Sequence, residues 1–304
     1  MSDETNPRRG GGLPLALGAY LIWGLLPLYL REVHAVPPFE FVGWRVIFTL
    51  PVCLLLVLAL RQGRSLRMAI GNRAILLRLT ASALLIGGNW LVYIAAVQQG
   101  HVLATSLGYY INPLVNVLIG TLFLGERLSR AQWLAVGIAA VGVAILAWGA
   151  GEMLAISLVL ALTFGGYGLV RKLTPVESLP GLTIESAVLV LPAAGIVAWQ
   201  AQGPAGMALG MDPALDSLVA LSGAITAAPL LLFAAAARRL DFSVLGFCQF
   251  LAPTIVFLLG LFVFHEPLRP VQMASFVLIW IAILVFSLDL LHRSRAVRAR
   301  RRAG

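Results

Sequence analysis

The chain of 304 residues is 60% hydrophobic and only 12% charged, with a mean hydropathy of +0.93. A water-soluble core of that length cannot hide so much apolar surface, so the solvent is lipid and a soluble protein is excluded. The excess of 22 Lys and Arg over 13 Asp and Glu falls mostly in short gaps between apolar runs, which points to membrane lipid headgroups as the anionic partner and away from nucleic acid.

Residues 1–12 are polar and Gly-rich and read as a disordered tail. Arg8 and Arg9 resemble a twin-Arg export signal, but the run that follows, Leu13 to Leu30, is longer than a signal core and lacks an A-x-A site, so it is expected to remain as a first spanning helix. A hydrocarbon core of about 30 Å takes roughly 20 helical residues. Nine more runs meet that length: Phe39 to Leu60, Ile75 to Gln98, Val102 to Leu124, Ala131 to Trp148, Met153 to Val170, Thr183 to Trp199, Ser217 to Ala237, Ser243 to Phe264 and Pro270 to Leu291. Residues 292–304 form a basic tail. The fold class is therefore all-α, a polytopic membrane protein of ten transmembrane helices.

These ten helices contain one pattern twice. YYINPLVNVLIGTLFLGERL, 109 to 128, returns as QFLAPTIVFLLGLFVFHEPL, 249 to 268, at an offset of 140 residues, with Pro113 on Pro253, Gly120 on Gly260, Glu126 on Glu266 and Leu128 on Leu268. The same offset places Arg31 on Arg171 and Arg45 on Glu185. Such a repeat predicts two five-helix units, 13–150 and 151–291. Five is odd, so the second unit enters the membrane from the opposite face and the repeats are inverted. Charge gives an independent reading, because Lys and Arg accumulate on the cytoplasmic side. With both termini cytoplasmic, nearly all of the 22 basic residues fall inside; only Arg31 and Arg269 fall outside, and Arg45 lies within a helix.

Helix ends carry ordinary punctuation. Ser129-x-x-Gln132 reads as a capping box, and Pro270 opens the last helix. Glu126 and Glu266 sit at helix junctions, where a carboxylate faces the positive end of the next helix. Cys53 and Cys248 lie in apolar runs and read as packing residues, with no disulfide framework, metal or cofactor expected.

Ionisable groups at membrane depth are functional candidates by default, because burying a charge in lipid is costly. Arg45 lies about two turns into the second helix and Glu185 correspondingly early in the seventh, at mirrored depths. The competing reading is that both snorkel to a nearby surface. Glu185 is in addition a candidate proton carrier. Asn89, Trp90 and Tyr93 fall within one turn of the third helix, and Tyr109, Asn112 and Asn116 share a face of the fourth. Facing lipid they would lack partners, so they are expected to wall a cavity or to bond helix to helix. Trp23, Tyr29, Tyr167 and Gln249 are weaker candidates of the same kind, while Trp148, Trp199 and Trp280 read as interfacial or packing aromatics. Pro113 and Pro253 interrupt corresponding helices, and matched interruptions in inverted repeats point to a central transport site.

The blocks GAYLIWGLLPLY (18–29), NWLVYIAAVQQGHVLATSLGYYINPL (89–114), GERL (125–128), FGGYGLVRK (164–172), GLTIES (181–186), RRLDFSVLGFCQFLAPT (238–254) and HEPL together resemble the RarD branch of EamA-type transporters, within the drug/metabolite transporter superfamily. The resemblance covers residues 13 to 290. It implies a ten-helix carrier of the bacterial inner membrane, with two inverted repeats around a central cavity, moving small organic solutes. The branch usually has a basic residue after the Pro-Leu-Tyr block, met here by Arg31, and an Arg in the second helix, met by Arg45. By motif position it implies Trp23, Asn89, Trp90, Tyr93, Tyr110 and Asn112 as cavity residues.

The resulting reading is a secondary carrier of small organic solutes, amino-acid-like, anionic or zwitterionic, alternating between states open to either side, with proton coupling through a buried carboxylate. A passive channel would show a polar ring of equivalent positions. An intramembrane enzyme would need a converging catalytic set, and the chain has no HExxH, no GxSxG and no His pair.

Overall fold

A computed structural model of the chain describes residues 11–99, 102–148, 153–203, 206–265 and 270–303. In lipid every backbone N–H and C=O must find its partner within the segment, so apolar runs of this length form helices. The described residues form α1 (Gly12–Glu32), α2 (Pro38–Ala59), α3 (Gly63–Gly71), α4 (Arg73–Gln98), α5 (Val102–Leu122), α6 (Arg130–Ala147), α7 (Met153–Leu173), α8 (Ser178–Ala201), α9 (Pro213–Ala237), α10 (Phe242–Gln249), α11 (Leu251–Phe262) and α12 (Pro270–Ala303). Nine helical segments among them are long and apolar enough to cross a membrane, and Leu107–Leu122 is a shorter apolar one. The chain is an all-helical polytopic membrane protein of about ten spanning helices.

Local chemistry sets the helix starts. Ser129 and Gln132 form the reciprocal capping box, the Ser129 Oγ accepting from the Gln132 N–H at 3.0 Å and the Gln132 Oε1 from the Ser129 N–H at 2.9 Å. Asn72 accepts from the Ala74 and Ile75 N–H groups, and Asp212, its mate at the 140-residue offset, accepts from the Ala214 N–H. The first residues of α2, α4, α5 and α6 lie 140 before those of α8, α9, α10 and α12.

Three features of the elements add to the expected runs. The ninth apolar run is two helices, α10 and α11, joined at Phe250, because Pro253 has no N–H to donate back across that joint. Its mate Pro113 lies inside the uninterrupted α5. The basic segment from 292 continues α12 as helix to Ala303. The segment between the second and third spanning helices holds the short α3. Arg8, Arg9, His101, Glu266 and Arg269 lie outside the described residues.

Packing follows one scheme throughout: α2 lies against α8 and α9, α4 against α7 and α8, α1 against α9 and α11, α5 against α7 and α10, and α6 against α12. Replacing each spanning helix by its mate 140 residues away returns the same set of contacts. Close approach is allowed where side chains vanish. A Cβ on Gly223 of α9 would stand 2.3 Å from the Phe48 carbonyl oxygen of α2. The core runs along this crossing as a continuous apolar cluster in which Tyr20, Tyr167, Phe233, Phe242 and Phe250 are fully buried.

Candidate functional site

Two polar regions interrupt the core, one near each end of the bundle. The first lies toward the end where α1 runs out and α2 begins. Arg45, two turns into α2, is half-buried; its Nε donates to Thr226 Oγ1 of α9 at 3.2 Å, and its guanidinium carbon stands 4.6 Å from the Trp90 ring centroid. This cation–π contact offsets part of the desolvation cost, but among the described residues no carboxylate pairs with Arg45. Thr49, one turn further, bonds the Arg45 and Gly223 carbonyls and ties α2 to α9.

Beside Arg45 a small recess is lined by Asn89, Tyr93, Gly108, Tyr109, Asn112 and Leu160. Tyr93 and Tyr109 face each other with ring centroids 6.1 Å apart, and Tyr109 is 48% exposed. Asn89 donates to the Leu160 carbonyl and to Thr163 Oγ1, both at 2.8 Å, while the buried Asn112 Oδ1 has no hydrogen-bond partner. Tyr29 closes the rim by donating to the Leu218 carbonyl at 2.8 Å. Glu40, which sequence reasoning passed over, is fully buried at the start of α2. It accepts from the Ala208 and Leu209 N–H groups and from Trp44 Nε1, fixing the α8–α9 connection over this end.

The second region lies toward the opposite end. Glu185 Oε1 accepts a short hydrogen bond from Ser82 of α4 and stands 3.6 Å from Arg171 Nε of α7. Both side chains of the pair are at most 2% exposed. Arg171, expected among the loop basics, is thus a buried partner; it also donates to the Ser178 carbonyl at 3.0 Å. Glycine at 181 makes this possible, since a Cβ there would lie 1.9 Å from Arg171 Nη1. Above the pair, a small apolar pocket is lined by Trp90, Tyr167, Glu185, Ser186 and six neighbours. Trp90 therefore separates the two regions. At this same end Glu126 accepts from the Phe242 and Ser243 N–H groups and the Ser243 hydroxyl, so it caps α10, far along the chain, and not the next helix.

The remaining candidates divide. Trp23 and Tyr167 join Tyr20, Phe164 and Phe233 in an aromatic layer between the two regions. Tyr110 points away from the recess, edge-on to Phe276 with ring centroids 5.4 Å apart. Gln249 accepts from Asn116 Nδ2 at 2.7 Å, a buried bond between α10 and α5 of the helix-to-helix kind. Trp148 is 90% exposed, whereas Trp280 packs on Phe257 and Phe276. Ser82, Ser222 and Thr226 escaped notice because single hydroxyls are common in apolar helices; the signal was available for two of them, since Ser82 and Ser222 are mates at the 140-residue offset. Among the described residues no group of three or more His, Cys, Asp or Glu converges as a metal site.

Comparison with known proteins agrees with this architecture. The EamA-like transporter family model matches residues 10–148. Protein RarD of Escherichia coli (strain K12) is 42% identical over 285 residues, covering 93% of this chain and 96% of the relative. An uncharacterized transporter of Pseudomonas aeruginosa is 43% identical over 285 residues, 94% and 95% of the two chains, and a chloramphenicol-sensitive protein RarD of the same species is 32% identical over 301 residues. A solved structure described only as a protein crystal structure shares the fold, with a TM-score of 0.72 at 20% identity over 92% of this chain and 98% of that one. The chain belongs to the EamA-like transporter family, as a RarD-like membrane transporter of the drug/metabolite superfamily.

Proposed function

We propose that this transporter is a secondary carrier of small organic solutes bearing a negative group, anionic or zwitterionic. It works by alternating access between two inverted five-helix repeats, residues 13–150 and 151–291. The observation that carries the reading is Arg45: a guanidinium at membrane depth, over the Trp90 ring, beside a recess of tyrosines and amides, and with no carboxylate among the described residues to neutralise it. A cation left unpaired in such a place is stabilised by a ligand that brings the opposite charge. Tyr29, Asn89, Tyr93, Tyr109 and Asn112 supply the polar wall, and Trp90 with Trp23 and Tyr167 the apolar floor.

The basic residues Arg61, Arg64, Arg67, Arg73, Arg78, Arg127 and Arg130 support a topology with the Glu185 end cytoplasmic, the Arg45 recess toward the outside of the bacterial inner membrane and both termini inside. Exposure at Tyr109 against full burial of Arg171 and Glu185 supports an outward-open, inward-shut state. Glu185 is the proposed proton carrier, because a carboxylate exchanging partners between states is the simplest buried proton site.

Reconstituted vesicles test the reading directly. Arg45→Ala is expected to lose transport of carboxylate solutes at least about tenfold while the protein remains inserted and monodisperse. Undiminished transport removes Arg45 from the site, and a flux that neither saturates with solute nor shows counterflow makes the protein a passive channel.

A further inference from the structure

The two ends of the bundle are built from corresponding residues, yet their charges differ. At the closed end Arg171 of α7 and Glu185 of α8 form a buried pair, with Ser82 donating to the same carboxylate. Their mates at the 140-residue offset are Arg31, Arg45 and Ser222. The acid of the closed end is thus replaced by a base at the open end; among the described residues Arg31 pairs only with its exposed neighbour Glu32, and Arg45 and Ser222 with no carboxylate.

Each of these three groups has a geometry that fits a missing anion. Arg31 is 56% exposed at the end of α1, reaching only its neighbour Glu32 and the Phe264 ring, and Arg45 waits over Trp90. Ser222 is buried beside the Tyr29 hydroxyl and has no carboxylate partner among the described residues, while Ser82 at the closed end has the Glu185 carboxylate. One departure from the closed end matters: Phe41 stands where Gly181 makes room for Arg171, so Arg31 meets the site from its mouth and does not lie flat on α2.

Resting on the carrier reading above, we infer that the open end shuts around a carboxylate supplied by the solute, which sits between Arg31, Arg45 and Ser222 as the Glu185 carboxylate sits between Arg171 and Ser82. Like charges brought to the 3.6 Å spacing of the closed pair repel strongly. An anion between them turns that repulsion into two charge-assisted hydrogen bonds. Empty carrier therefore does not close outside, and a solute lacking the carboxylate is not carried. Arg31 becomes a gating ligand in addition to the Arg45 contact, and solute-dependent closure enforces coupling, because a ligand shifts a conformational equilibrium only by its differential binding to the two states.

Amide hydrogen exchange over residues 31–38, read by mass spectrometry on the full chain in detergent, measures closure of this end. Arg31→Glu, on an exposed side chain, and Arg45→Glu each restore an acid–base pair and are expected to slow exchange about tenfold with no ligand present. The double variant R31E/R45E, again like-charged, returns exchange to the wild-type rate. In the wild type, acetate, benzoate and N-acetylglycine slow exchange, whereas their primary amides at equal ionic strength do not. The inference is overturned if Arg31→Glu leaves exchange at the wild-type rate, if the double variant stays protected, or if the amides act as the acids do or none of the acids acts. Such a failure alongside an Arg45→Ala carrier that has lost transport removes only the closing role of Arg31. Transport that survives Arg45→Ala removes the site itself.

Discussion

The guanidinium carbon of Arg45 lies over the Trp90 ring, 4.6 Å from its centroid, across the gap between α2 and α4. Trp90 also lines the pocket above Glu185, so one indole touches both polar regions of the bundle. Cation–π contacts of a partly desolvated arginine are worth about 0.5–2 kcal/mol. Trp90→Leu is expected to weaken solute affinity by roughly 2- to 30-fold. Trp90→Phe, which retains a ring, should lose less. Binding titrations on purified protein rank the three, and equal affinities would detach Trp90 from the site.

Arg171 and Glu185 give a second expectation. Removing one member of a buried pair leaves an uncompensated charge, at a typical cost of about 3–5 kcal/mol, whereas removing both costs much less. Arg171→Leu should therefore lower the melting temperature sharply, and Arg171→Leu combined with Glu185→Gln should recover most of the loss. Thermal melts of the two singles and the double, read as a mutant cycle, check the coupling.

Proton coupling separates from stability in the double variant Arg171→Leu with Glu185→Gln, which leaves no unpaired buried charge. This variant keeps a partner for Ser82 but cannot carry a proton. Vesicles holding it are expected to equilibrate solute normally while no longer concentrating it when a proton gradient is imposed. Retained concentrative uptake would assign the proton to another group.

Glu126 is held in place by three donors at the start of α10. Hydrogen bonds to a charged acceptor contribute about 1.5–3 kcal/mol each at most, and the helix N-terminus adds to them. Glu126→Ala should destabilise by about 2–4 kcal/mol, seen as a lower melting temperature, without changing which solutes are carried. Altered solute selectivity would mean that Glu126 does more than hold a helix.

Close contact between α2 and α9 supplies a geometric test. An alanine at Gly223 would put its Cβ 2.3 Å from the Phe48 carbonyl oxygen, so the helices must separate or the chain must strain. Gly223→Ala is expected to cost about 1–3 kcal/mol and to shift Arg45 relative to Thr226. Lower thermal stability with reduced transport is the outcome to look for.

Much of this molecule was legible in the chain itself. Apolar runs of membrane-crossing length can only be helices, because lipid offers no partner to a backbone amide, and each of the ten predicted runs falls in helical segments that it overruns by at most two residues at its ends. Recurrence at 140 residues placed Arg45 and Glu185 at mirrored depths, and the structure places each in one of the two polar regions. Amides and phenols spaced one turn apart gave the wall of the recess, since polar groups in lipid must turn inward. What no spacing could reveal was who meets whom. Arg171 lies 14 positions from Glu185 along the chain and at the edge of a basic stretch, and only the way the α7–α8 connection folds back, with room left by glycine at 181, made it a buried partner instead of a surface charge. Tyr110 and Gln249 read like their neighbours, yet rotation of their helices turned them into the core. Sequence fixes the depth of a residue through helix length; tertiary structure alone fixes its azimuth and its partners, because these depend on how ridges and gaps on separate helices interlock.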